Sequence, residues 1–138
     1  MDKRQSLPSC EQQRLKPYGS GFRAGFRYAW DGILYAVRTQ RNMCFHVVAG
    51  AVVVVLGVAL HLSAVDWALL LLCITSVLVA EMGNTLIELL VDLVSPDYHP
   101  LAKRVKDVAA GAVLVMAIGS AAVGLTILGP PIWQAIRH

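Results

Sequence analysis

The stretch VAEMGNTLIELLVDLV, residues 79–94, sets five polar side chains into an otherwise apolar run. At about 100° per residue, Glu81, Asn84, Thr85, Glu88 and Asp92 fall within one arc of a helix, so three carboxylates and an amide form a single stripe. A carboxylate surrounded by hydrocarbon is costly and is functional by default. Low dielectric also makes it hold a proton more readily than water does, which suits proton transfer. Glu88 and Asp92, expected at a wetter rim, are better suited to hold a hard cation through oxygen. The plain structural alternative is a helix–helix contact satisfied by amide and carboxylate hydrogen bonds, although one Asn would serve that end more cheaply than two Glu.

The elements that must carry this stripe follow from hydropathy. The chain has 138 residues, 57% of them hydrophobic and 15% charged, more apolar surface than so small a soluble core hides. Its apolar residues gather in three blocks, residues 45–62, 67–94 and 101–128. Each supplies the roughly 20 residues that cross about 30 Å of hydrocarbon. The expected fold is an all-α integral membrane protein with three spans, the stripe occupying the end of the second. Counting about 20 residues from Trp67 puts the boundary near Leu86, so Glu81 lies roughly 8 Å inside it and Glu88 just outside.

Residues 21–40 carry apolar side chains at 22, 26, 29, 30, 33, 36 and 37, with Arg23, Arg27, Asp31 and Arg38 on another face. That pattern predicts an amphipathic helix lying in the membrane interface. Residues 1–20 have no period and read as a flexible lead. About forty residues precede the first block, too many for the basic region of a signal peptide. Eight Lys and Arg lie before Phe45, three (Lys103, Arg104 and Lys106) lie between the second and third spans, and HLSAVD between the first two has none. The asymmetry places the N-terminus and the second connection in the cytoplasm.

Cys10, Cys44 and Cys73 have no ligand spacing and form no disulfide framework. The four His are dispersed, and His46 and His61, near the ends of the first block, read as interfacial residues. GSGFRAG lacks the Lys-Ser/Thr ending of a phosphate loop, and no strand precedes it. Nucleotide chemistry would need another device. SPDYHPLAKRVKDVAAG offers one: a Pro-flanked turn followed by Lys103, Lys106 and Asp107, expected on one face at the start of the third span. Acids and Lys residues at the membrane surface, facing a buried base, are what phosphoryl transfer to a lipid hydroxyl needs. A proton or ion translocator would also prize an intramembrane Glu, but Trp67 to Val79 offers only Cys73, Thr75 and Ser76 as weakly polar groups. A noncatalytic assembly subunit would use the stripe but not Lys106 and Asp107.

FRYAWDG, RNMCFHVV, AEMGNTLIELLVD and HPLAKRVKDVAAGAVL occur in an order and at separations that resemble the prokaryotic diacylglycerol kinase family, including its undecaprenol kinase branch. The likeness runs from about Phe22 to Leu128. It implies a surface helix plus three spans in the bacterial cytoplasmic membrane, a homotrimer with sites between subunits, and use of ATP with Mg2+; no nucleic-acid partner is expected. By that likeness Glu81 corresponds to the general base, Asn84 to its polar neighbour, and Glu88 to a ligand of metal and ATP. Tyr28, Asp97, Tyr98, His99, Lys106 and Asp107 correspond to nucleotide-contacting positions. Gln40 stands where many members have a metal-binding Glu, so the metal site lacks one negative charge. RNMCFHVV and HPLAKRVKD look closer to the branch acting on undecaprenol than to that acting on diacylglycerol.

The orientation is testable by labelling single cysteines introduced as Ser6→Cys, Ser63→Cys and Ser95→Cys, in a chain whose own cysteines are replaced. A membrane-impermeant reagent applied outside should reach position 63 alone. Labelling at 95 but not 63 overturns the topology.

Overall fold

A computed structural model describes residues 21–137. Among the described residues four helices follow one another: α1 (Phe22–Thr39), α2 (Arg41–Ala59), α3 (Ala64–Val94) and α4 (Pro100–Arg137). The chain divides into two compact units, one ending at Tyr35 and one beginning at Ala36. The lead at residues 1–20 lies outside the described residues. In the first unit, α1 exposes Phe22, Phe26 and Trp30, and the Arg27 guanidinium sits 5.5 Å from the centre of the Tyr28 ring.

In the second unit, α2, α3 and α4 are each long and apolar enough to cross a membrane, as the three blocks predict. The chain is therefore an all-α membrane protein. At 1.5 Å per residue α3 is about 46 Å long and α4 about 57 Å, so both exceed the hydrocarbon thickness. Glu88 and Asp92 lie in the last two turns of α3. The most extensive packing is between α3 and α4, followed by α2 with α3; α2 and α4 meet least. The stripe-bearing helix is thus the central one.

The helix ends differ from the apolar blocks for local reasons. α2 stops at Ala59, three residues before the block ends, because His61 adopts a left-handed conformation with φ 50°. The His61 amide donates to Val58 O at 3.2 Å and the Leu62 amide to Gly57 O at 3.3 Å, the double closure of a Schellman cap. Ser63 then starts α3, its hydroxyl accepting from the Asp66 amide at 3.3 Å and donating to the Asp66 carboxylate at 2.7 Å. At its far end α4 runs past Leu128, through Pro130 and Pro131, to Arg137. There the Arg137 guanidinium lies 4.6 Å from the Trp133 ring centre, a pairing suited to the headgroup region.

Close approach of α2 to α3 rests on two glycines. A Cβ at Gly50 would stand 3.1 Å from Ile74, and one at Gly57 3.0 Å from two carbons of the Trp67 indole. Gly57→Val should therefore destabilise the bundle by about 1–3 kcal/mol, the usual cost of overpacking. Denaturant titration of the micelle-solubilised protein checks this; a midpoint equal to that of the wild type would show that α2 and α3 are not held this closely.

Candidate active site

The stripe predicted from spacing is the most buried polar feature of the second unit. Glu81 is 2% exposed, as buried as Leu70, with Thr85 at 4% and Asn84 at 8%. Thr85 satisfies its own hydroxyl locally by donating to the Glu81 carbonyl at 2.9 Å, one turn back along α3. Asn84 faces two ways. Its Nδ2 donates to Glu88 Oε1 at 2.9 Å, while its Oδ1 is buried and has no donor among the described residues.

Glu81 has the same shortage. Its Oε1 is buried without a hydrogen-bond donor among the described residues, although His46 Nε2 approaches it to 3.3 Å from α2. These two acceptors, Asn84 Oδ1 and Glu81 Oε1, belong to side chains lining one pocket of about 330 Å3, which α2 closes with Asn42, Phe45 and His46, and α4 with Val113 and Leu114 among others. A larger apolar groove of about 660 Å3 shares Phe45, His46 and Ala117 with it and runs on along Leu70, Ile74 and Val77.

Seven residues along α3, about 10 Å by helical rise, Glu88 is gripped by two amides. Besides the Asn84 contact, Gln40 Nε2 donates to Glu88 Oε2 at 3.0 Å, across 48 positions of sequence. Gln40 is free to do so because of its place in the chain. It is the extended residue (φ −102°, ψ 112°) between α1 and α2, and its side chain makes no hydrogen bond capping α2. Both oxygens of Glu88 are thus held in fixed directions, each with a lone pair to spare.

Other predicted positions part company. Asp92 has a partner on another helix: Lys106 Nζ reaches across from α4 to Asp92 Oδ1. Nor do Lys103, Lys106 and Asp107 act as one face. Lys103 and Asp107, one turn apart, pair with each other at 2.6 Å, whereas Lys106 lies about 100° round the helix from Asp107 and turns to α3. Asp97, Tyr98 and His99 form the exposed connection between α3 and α4, where His99 Nδ1 accepts from the Leu101 amide at 3.2 Å and Ser95 Oγ donates to Asp97 O at 3.2 Å. His99 therefore caps the start of α4. Tyr28 belongs to the first unit. The structure gathers Gln40, Glu81, Asn84 and Glu88, and adds His46. Sequence reading took His46 for an interfacial residue; the only signal to the contrary was its apolar surroundings, which say nothing about a partner 35 positions away.

A family described as prokaryotic diacylglycerol kinase matches residues 27–128. The chain belongs to the prokaryotic diacylglycerol kinase family. Over 108 residues it is 47% identical to a diacylglycerol kinase of Synechocystis sp., covering 78% of this chain and 62% of that relative, so it spans less than two thirds of that protein's length. It is 42% identical over 109 residues to an undecaprenol kinase of Bacillus subtilis, covering 79% of this chain and 89% of the relative. A diacylglycerol kinase of Escherichia coli is 32% identical over 91 residues, covering 66% and 75% of the two chains. The matched region of the kinase family holds the whole cluster, from Gln40 to Glu88, and the connection to α4.

Among the described residues no three His, Cys, Asp or Glu side chains gather as a metal site. Mg2+ needs less than that, since it is commonly held by one or two carboxylates together with substrate phosphates and water. The donor set fits such an arrangement: Glu88 supplies a carboxylate with spare lone pairs, and Gln40 an amide oxygen on the far side of the same hydrogen bond. Gln40→Glu would replace the donated hydrogen bond by two facing carboxylates. Without divalent ions the variant should be less stable than wild type by about 1.5–3 kcal/mol, the worth of a hydrogen bond to a charged group, and added Mg2+ should close the gap. Thermal unfolding in detergent with and without Mg2+ checks this. Equal stability in both conditions would mean that the two side chains do not share a cation-responsive site.

Proposed function

We propose that this protein is a lipid kinase, transferring the γ-phosphoryl group of ATP to the hydroxyl of a membrane lipid alcohol. The observation that carries the reading is the pair of buried acceptors without donors, Glu81 Oε1 and Asn84 Oδ1, on one pocket. A buried acceptor left unsatisfied costs about 1–3 kcal/mol, and an alcohol supplies the missing donor. Membership of a family of lipid kinases supports the same conclusion. The adjoining apolar groove suits a hydrocarbon tail, leaving the hydroxyl at the pocket.

In this mechanism Glu81 accepts the hydroxyl proton as the lipid oxygen attacks the γ-phosphorus, and the bond to the ADP oxygen breaks with its electrons. Asn84 Oδ1 orients the hydroxyl. Glu88, steadied by Gln40 and Asn84, would hold Mg2+, which when bound neutralises charge on the phosphates. Lys106 exchanges Asp92 for the phosphoryl oxygens, a cheap exchange because exposed ion pairs are worth about 0–1 kcal/mol. Tyr28, Asp97, Tyr98, His99 and Asp107 contribute to nucleotide binding in this reading.

The site faces the cytoplasm, where ATP is, with the N-terminus on the same side of the bacterial inner membrane and three copies forming the working assembly. Undecaprenol is favoured over diacylglycerol on the character of RNMCFHVV and HPLAKRVKD. Phosphate transfer from labelled ATP to a panel of lipid alcohols tests the substrate. On the best substrate, Glu81→Gln should lower kcat by roughly 10²-fold or more while leaving ATP binding intact, because a base acts in the transition state. Glu88→Gln should weaken ATP binding as well. Near-normal turnover by Glu81→Gln would remove the carboxylate from the role of base.

A further inference from the structure

His46 stands out because the reaction just described does not use it. Its Nε2 lies 3.3 Å from Glu81 Oε1, and its side chain is 18% exposed against 3% for that of Glu81. Two donors beside the carboxylate on α3 are engaged elsewhere: the Thr85 hydroxyl donates to a carbonyl, and the Asn84 amide nitrogen to Glu88. The wall contributed by α4, including Ala110, Val113, Leu114 and Ala117, carries no ionisable group, and the α2 wall adds Asn42 and Phe45. Arg41 and Cys44, the nearest ionisable neighbours of His46 along α2, do not line the pocket, and neither does Cys73, which lines the adjoining groove. Glu81 and His46 are thus the two ionisable side chains facing each other there. The Phe45 ring, 5.4 Å from the imidazole at 74°, flanks it with an apolar edge.

A general base must be ionised before it can accept a proton, and an isolated carboxylate buried among Val, Leu and Ala favours its neutral form. Resting on the kinase reading above, we propose that His46 is a positioning residue whose imidazolium holds Glu81 ionised and aims its oxygen at the lipid hydroxyl. The 3.3 Å approach is not an aligned hydrogen bond, since Oε1 has none. Catalytic contacts commonly tighten only when substrate is bound, and turning the imidazole closes this one without moving a helix. The greater exposure of His46 lets it exchange protons with water while the carboxylate stays covered. The device also suits a membrane: the pair carries no net charge, so the pocket spares the cost of a lone anion.

His46→Gln keeps a polar side chain of similar reach and removes the charge. Infrared difference spectroscopy between each protein and its Glu81→Gln counterpart reads the state of Glu81 directly, without any need for activity. At neutral pH the wild type should show a carboxylate band assigned to Glu81, and His46→Gln a protonated-carboxyl C=O band that Glu81→Gln abolishes. In turnover, His46→Gln should lose roughly tenfold or more in kcat at neutral pH with KM for ATP unchanged, and should recover as the buffer is made more alkaline. A purely structural role would lower kcat equally at every pH. A carboxylate band in His46→Gln, or a pH-independent loss, overturns the inference. Should His46→Gln fail to fold, a protonated-carboxyl band from Glu81 in the wild type overturns it equally. A wild-type protein that phosphorylates no lipid alcohol overturns the kinase reading instead, and is told apart because the infrared result is obtained on the same resting protein.

Discussion

A carboxylate within a membrane bundle must be shielded from lipid and supplied with partners, and Glu81 imposes both requirements on the helices around it. Isolating it in hydrocarbon would cost several kcal/mol, so α3 sits between α2 and α4, and the deepest burial in the unit is spent on Glu81, Thr85 and Asn84 as much as on Leu70 and Val77. Close approach of α2, permitted at Gly50 and Gly57, brings His46 to the carboxylate. Helix packing and the electrostatics of the site are therefore one problem. A looser bundle would lose the imidazole contact and admit lipid to the carboxylate together.

The polar groups along α3 change character with depth. At Glu81 they are buried, and one oxygen on each of Glu81 and Asn84 is left without a hydrogen-bond donor among the described residues. At Glu88 they are half-buried and satisfied by neutral amides, one from Gln40 at the junction of α1 and α2 and one from Asn84 on α3. At Asp92 the partner is a charged Lys106 in an exposed setting. This order follows the dielectric: a buried acceptor without a donor is costly, and ion pairs sit where water makes them cheap to break.

Much of this was legible in the sequence. Hydropathy and length dictate three membrane helices, because backbone polar groups in hydrocarbon must be satisfied within the segment. Helical periodicity alone puts Glu81, Asn84, Thr85 and Glu88 on one face of α3. The resemblance pointed to Gln40 and assigned it to the site of Glu88, 48 positions away. Local signals also existed for the cap at Ser63 and Asp66, since a Ser followed three residues later by an acid commonly opens a helix. The left-handed His61 carried no such signal, because the position it fills is usually Gly.

What only the tertiary structure decided is which polar groups meet. Periodicity fixes where a side chain lies around its own helix, but not the rotation or axial offset of the neighbouring helix, which depends on how side chains interlock at the contact. Hence Asp92 looked like a second ligand beside Glu88 until α4 brought Lys106 against it, and Lys103 and Asp107 proved to be each other's partners. His46 looked interfacial until α2, drawn in at its glycines, set the imidazole 3.3 Å from Glu81. The sequence determined that a carboxylate would be buried in the membrane; the packing of α2 on α3 determined that it would not be alone there.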